Sequence, residues 1–197
     1  FHHAAAPTYQ KLLEYYKPKI LLGLTATPER MDGKNVIEYF GNRIAAEIRL
    51  PEAIERELLC PFQYFGVSDS VDLSELKWTR GGYDKVQLSN IYTMKEFAAE
   101  KRAGLVINSL KKYVTDIEEV KGLAFCVSID HAKFMSGFFC ENGISSICLT
   151  AASDGDERNI AQQKLTSGEI KFIFVVDLYN EGVDIPEVNT ILFLRPT

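Results

Sequence analysis

The sequence predicts an α/β fold, an open parallel sheet with crossover helices, and three observations predict it. Short, wholly apolar runs alternate with segments whose apolar residues recur at helical spacing. The apolar runs empty into polar loops rich in Ser, Thr, Asp and Gly, as buried parallel strands do. With 46% hydrophobic and 25% charged residues over 197 positions, the chain has the balance of an ordinary globular protein and enough apolar material for a core.

Taken in order, residues 4–16 read as a helix punctuated at Pro18, and residues 20–24 as a buried parallel strand ending in Thr25-Ala26-Thr27-Pro28. Residues 49–61 hold Pro51, a short helical stretch at 52–59 and Pro61, and resemble a connector. The domain boundary is placed near residue 58. Residues 68–90 are polar, carry the only tryptophan, Trp78, and include Gly81-Gly82, so they read as an irregular insertion before a long helix over 94–113. A strand follows at 123–127, with Ser128, Ile129 and Asp130 opening a helix over 131–140 that stops at Asn142-Gly143. The alternation continues with a strand at 144–149, a helix at 156–166 closing near Gly168, and strands at 170–176 and 190–194. There is no internal repeat and no low-complexity tract. Parallel sheets bind ligands beyond the carboxyl ends of their strands, which places residues 25–30, 128–131 and 177–184 together on one edge.

Composition excludes some functions and favours none. The longest apolar runs fall far short of the roughly 18 residues of a membrane span, so no membrane role is expected. Cys60, Cys126, Cys140 and Cys148 form no C-x-x-C pair and are read as buried thiols, which fits a reducing cytoplasm and no metal site. The net charge of -5 offers no electrostatic case for nucleic acid, since phosphate contacts call for clustered Lys and Arg. The chain opens on Phe1 without a methionine and stops after an apolar strand, so it reads as a piece of a longer protein.

Two strings carry chemistry. Leu22-Gly23-Leu24-Thr25-Ala26-Thr27-Pro28 resembles motif III of the superfamily 2 helicases, where a strand ends in a T-A-T or S-A-T turn. Hydroxyls such as those of Thr25 and Thr27 both donate and accept, so they can relay nucleotide state as a hydrogen-bond rearrangement. An ordinary strand-end turn uses the same residue types. The second string, Asn180-Glu181-Gly182-Val183-Asp184-Ile185-Pro186, is similar to motif V of the same superfamily, which borders ATP between two motor domains. Gly182 would let the backbone approach the nucleotide, and Asp184 would accept from its ribose hydroxyls. Spacing strengthens the match: Asp156-Glu157-Arg158 opens a helix, and a strand leads from it into Asp177, as in the second motor domain of repair-helicase-like proteins and restriction-enzyme motor subunits.

The resemblance implies a RecA-like, P-loop NTPase-type fold with the C-terminal part of motor domain 1 and its connector in residues 1–58. Most of motor domain 2 falls in residues 59–197, with the insertion at 68–90. It places Ser128, Thr150 and Arg158 near the nucleic-acid backbone, where a hydroxyl or guanidinium holds phosphate without reading sequence. Arg158 reads equally as a solvated helix residue. Phe1-His2-His3 resembles the residues just after the acidic pair of a D-E-x-H box, so His2 would couple hydrolysis to movement, although a purification tag would leave the same two histidines. His131 reads as a helix-start residue.

In the intact protein the resemblance implies ATP and Mg2+ as cofactors and nucleic acid as partner, and it leaves open which nuclease or other accessory domains accompany the motor. Val176 stands where many relatives have Thr or Ser, and Glu181 replaces the Arg of the RNA-helicase branch; both departures favour duplex DNA over RNA. The chain has no G-x-x-x-x-G-K-[ST] loop, no acidic pair after an opening strand and no Q-x-x-G-R-x-x-R helix, so by itself it is expected not to hydrolyse ATP. A docking module that keeps the architecture, with Trp78 and Tyr83 as anchors, is the rival from another class. A two-domain nucleotide-sugar transferase ranks last, because it predicts no T-A-T turn paired with an E-G-x-D-I-P loop.

Overall fold

The structure is a computed structural model that describes residues 7–25, 36–68, 78–79, 82–83, 85–93, 96–179 and 184–195. The chain folds as two compact units, Phe1–Tyr64 and Phe65–Thr197.

In the first unit, helix α1 spans Pro7–Tyr16 and buries none of its residues. A 3-10 turn covers Val36–Phe40, and the Gln10 amide donates to the Tyr39 hydroxyl at 2.9 Å across these elements. Helix α2, Leu50–Glu55, starts with Pro51 in its first turn, where a missing N–H costs no hydrogen bond. Its Glu52 pairs with Arg56 at 2.5 Å, one turn on. The expectation of a buried parallel strand at residues 20–24 does not hold: residues 21–25 lie in no strand, and Ile20 is 87% and Leu24 78% exposed. A parallel strand must have its backbone groups taken up by neighbours. Among the described residues of this unit there is no other strand to do so.

The second unit begins with a two-stranded antiparallel ladder, β1 Trp78–Thr79 against β2 Gly82–Tyr83. Helix α3 then spans Lys85–Thr93, so the segment expected to be irregular to residue 90 already carries regular structure. Its sequence, KVQLSNIYT, has little helical amphipathicity and several β-branched residues. Tertiary contact holds it: Leu88 and Tyr92 are buried, and the Tyr92 ring lies 5.0 Å from that of His131. Helix α4, Glu96–Tyr113, follows.

Among the described residues four strands make the central sheet: β3 Gly122–Phe125, β4 Ser146–Leu149, β5 Phe172–Val175 and β6 Thr190–Phe193. Their order is β4-β5-β3-β6 and every pairing is parallel, with β5 in register against both β3 and β4. Helix α5, Ile129–Glu141, crosses from β3 to β4, and α6, Gly155–Ser167, from β4 to β5. Strand alternation divides the core in two. Ala124, Phe172 and Phe174 face α4 and α5, where Phe139 meets Phe172 and Phe174 edge-on at 5.3 and 4.9 Å. Leu123, Phe125, Ile173 and Val175 face the other way, against Ala161 and Leu165 of α6. Close strand packing explains Gly122, where a Cβ would lie 2.1 Å from the Phe172 ring.

The cysteines only partly match the expectation of buried thiols. All four are free, Cys126 is buried and Cys148 half-buried, but Cys60 and Cys140 are exposed. Cys140 lies in the last turn of α5, where its thiol donates to the Ser146 carbonyl at 3.3 Å, and Cys60 follows α2 outside any core. Burial pushes the Cys126 thiol up, with Cys148 adding to the shift, and a thiol held protonated there packs as a small apolar group. No helix among the described residues is long and apolar enough to cross a membrane.

Candidate functional site

Because all four strands of the sheet run parallel, the loops that leave β3, β4 and β5 emerge at the same edge. Ser128 follows β3, Thr150 follows β4, and Asp177 and Asp184 follow β5. These three strands are neighbours, so the topology brings together residues that are far apart in sequence. Thr25 lies in the other unit, and His2, Thr27 and Gly182 lie outside the described residues.

Ser128 is the N-cap of α5, in extended conformation, and its hydroxyl accepts from the His131 backbone N–H at 3.2 Å. That same oxygen accepts from the Ser89 hydroxyl of α3 at 2.8 Å. His131 sits in the first turn beneath it, 2% exposed, with Nδ1 accepting from the Val127 N–H at 3.4 Å. Burial, aided by the nearby Arg102 guanidinium, lowers the His131 pKa to about 4, so the ring is neutral at physiological pH. Arg102 in turn lies over the Tyr92 ring, 4.3 Å from its centroid. Helices α3, α4 and α5 thus meet at the base of this loop.

Thr150 shapes the next loop. Its Oγ1 accepts from the Ala152 N–H at 3.3 Å, and its own N–H donates to the Ser153 hydroxyl at 3.2 Å. Asp154 then caps α6 in a reciprocal box, accepting from the Glu157 N–H at 2.8 Å while Glu157 accepts from the Asp154 N–H at 3.2 Å. Arg158, one residue further, bends back so that Nη2 donates to the Ala151 carbonyl at 3.4 Å. Its Nε is buried without a hydrogen-bond partner among the described residues. The guanidinium is therefore at the loop that Thr150 begins.

The loop after β5 departs most from regular backbone. Asp177 and Tyr179 both take positive φ, 52° and 60°, without being glycine. Side chains hold them: Asp177 accepts from Arg195 at 3.1 Å, beyond the end of β6, and the Tyr179 hydroxyl accepts from Gln162 of α6 at 3.4 Å. Further on, Asp184 is exposed and lines an open depression of about 310 Å3 with Asn159, Gln162, Gln163 and Thr166 of α6. Sequence reasoning singled out Asp184 but not Ser89, Arg195 or Gln162. No local signal marks those three, because each acts on a loop distant in the chain.

A parallel sheet in this order, with helices crossing between its strands and polar loops at their carboxyl ends, is a RecA-like α/β fold. Residues 105–197 match the helicase conserved C-terminal domain, and residues 1–30 match the res subunit of type III restriction enzymes. Both matches are to helicase-related families, and together they are consistent with a piece of a superfamily 2 helicase.

Its relatives include a 51.5 kDa protein of a Lactococcus phage, 28% identical over the whole of this chain and 41% of that protein. IRC3 of Saccharomyces cerevisiae, a candidate ATP-dependent helicase, is 28% identical over the whole chain and 28% of its own length. The endonuclease subunit of the Escherichia coli type I restriction enzyme EcoAI is 30% identical over 64% of this chain and 16% of its own. The chain thus spans less than half the length of each of these relatives.

Proposed function

We propose that the chain is part of an ATP-driven DNA helicase or translocase of the cytoplasm. In this reading residues 1–58 are the C-terminal part of a first motor domain with its connector, and residues 59–197 are most of a second. The observation that carries it is the alignment of Ser128, Thr150, Asp177 and Asp184 behind three adjacent parallel strands, with Arg158 turned back towards the same edge. Ser128, Thr150 and Arg158 are the residues that meet the phosphate backbone, by contacts that hold the strand without reading its sequence. Thr25 and Thr27, with His2, relay the state of the nucleotide.

The donor set fits one side of ATP. Asp184 is an exposed carboxylate with no hydrogen bond or ion pair among the described residues, suited to accept from ribose hydroxyls beside Gly182. When bound, ATP supplies the free energy of the cycle. For Mg2+ the fit is lacking: among the described residues no three His, Cys, Asp or Glu side chains converge on a cation. Duplex DNA is favoured as the track by Glu181, which departs from the RNA-helicase pattern.

Steady-state ATP turnover of the whole protein, measured with duplex DNA, single-stranded DNA and RNA, tests this proposal. Duplex DNA is expected to stimulate turnover, and Asp184→Asn to raise KM for ATP about tenfold, the cost of one weakened charge-assisted bond, with kcat less affected. The 197-residue chain alone, having no G-x-x-x-x-G-K-[ST] loop, is expected to be silent. Turnover by the isolated chain would overturn the assignment of parts. A whole protein that no nucleic acid stimulates would leave the docking module as the better account.

A further inference from the structure

We infer that Ser89, on helix α3, is a positioning residue for nucleic-acid contact: it turns the Ser128 hydroxyl into an obligate donor facing the phosphate backbone. The inference rests on the reading that Ser128 meets that backbone. A serine hydroxyl has one hydrogen to give and two lone pairs to receive. In this structure both lone pairs of Ser128 Oγ are engaged, one by the His131 backbone N–H at 3.2 Å and the other by the Ser89 hydroxyl at 2.8 Å. With acceptance saturated, Ser128 can only donate, and what remains for it is an acceptor from outside. Phosphate oxygens only accept, so a hydroxyl fixed as a donor matches them, and a phosphate oxygen takes the place of the water it otherwise donates to.

The neighbouring groups sharpen the need for this device. Asp130 is exposed in the same turn as Ser128, and its carboxylate repels an anion approaching the helix start. The chain as a whole is acidic, so generic attraction does not bring a phosphate here. His131 contributes its backbone N–H but no positive charge, because burial and Arg102 lower its pKa to about 4. A well-aimed neutral donor is then what the Ser128 side chain can offer a phosphate on this side of the turn.

Helix α3 is what places Ser89 there. It packs against α5 through Tyr92 and His131, and Ser89 precedes Tyr92 by one turn on the same face. The contact joins residues 39 apart in sequence, so it exists only in the folded unit. Residues 85–93 therefore belong to the functional edge and are more than a spacer before α4.

The test uses the whole protein, a fluorescently labelled mixed-sequence duplex oligonucleotide, and a double-mutant cycle. Ser89→Thr and Ser89→Val have nearly the same shape and helix propensity and differ by the hydroxyl. Ser89→Thr is expected to bind within about twofold of the parent, and Ser89→Val to lose about fivefold, the weight of one neutral hydrogen bond. Ser128→Ala should lose at least as much. The pair Ser89→Val with Ser128→Ala should bind no worse than Ser128→Ala alone, because the two hydroxyls act as one unit. The slope of affinity against salt should stay unchanged, since no charge is removed.

Thermal midpoints of all variants separate binding from folding. If Ser128→Ala binds as the parent does, the phosphate contact itself fails and the inference with it. If Ser128→Ala weakens binding while Ser89→Val does not, the inference alone is overturned. It is likewise overturned if the two losses add, which would mean that Ser89 acts through helix packing.

Discussion

At residue 131 an imidazole is enclosed by three helices, with Arg102 of α4 and Tyr92 of α3 as its neighbours and the exposed Asp130 beside it on α5. Its pKa is lowered from 6.5 to about 4, so the unfolded chain takes up a proton at a higher pH than the folded one. Linkage gives the sign. Above pH 6.5 both states are neutral and the full stability is present; as pH falls towards 4 the unfolded state binds the proton first and stability is lost. The loss attributable to His131 should approach about 3 kcal/mol, the free energy of a shift that large. Urea midpoints measured between pH 7 and pH 4 should show it, and His131→Gln should remove most of that slope. A His131→Gln variant with an unchanged slope would place the titration elsewhere. The sequence marks His131 as a helix-start residue because Ser128 stands three places before it, and that local relation holds. Its burial depends on α3 and α4, which reach it from earlier in the chain, and no spacing within residues 128–142 encodes that.

At the level of elements, those defined by local chemistry are the ones visible in the sequence. Helix α6 has an Asp at its start, a Glu three residues on and a Gly at its end, and the structure uses all three: the capping box of Asp154 and Glu157, and Gly168 at φ 81°. Helix α3 has Asp84 before it and Gln87 three places on, but its sequence has little helical amphipathicity and no Gly at its end, and docking on α5 holds it. Residues 20–24 fail in the opposite direction, because an apolar run specifies burial only when other strands accept its backbone. Asp154→Ala tests how much the cap contributes. It removes an acceptor from the first turn of α6 and frees Glu157, and should cost about 1 kcal/mol in chemical denaturation. Because Arg158 lies in that first turn and bonds to Ala151, the same variant should also loosen the loop that Thr150 begins. Asp154→Asn, which keeps an acceptor, should restore most of the loss, whereas equal losses in both variants would assign the effect to charge.

Across the whole second unit, the parallel sheet separates what holds the fold from what faces a ligand. Its middle strands are buried along their length, while the loops that carry Ser128, Thr150 and Asp184 leave from one edge. The aromatic cluster of Phe139, Phe172 and Phe174 lies on the side of α4 and α5, each ring fully buried. Phe139→Ala should therefore destabilise the unit by about 3–5 kcal/mol, the usual cost of emptying a large aromatic site that its neighbours cannot refill. That is a large part of the roughly 5–15 kcal/mol by which domains are stable, so the variant needs low temperature to be studied folded. Under those conditions its affinity for duplex DNA should stay within about twofold of the parent, since the ring contacts of Phe139 are with Phe172 and Phe174, inside the sheet. Urea denaturation followed by intrinsic fluorescence gives the first quantity, and oligonucleotide anisotropy on the folded fraction the second. Loss of affinity in proportion to loss of stability would mean that the edge is shaped by the core beneath it, and that sheet and loops cannot be treated as separable layers in this protein.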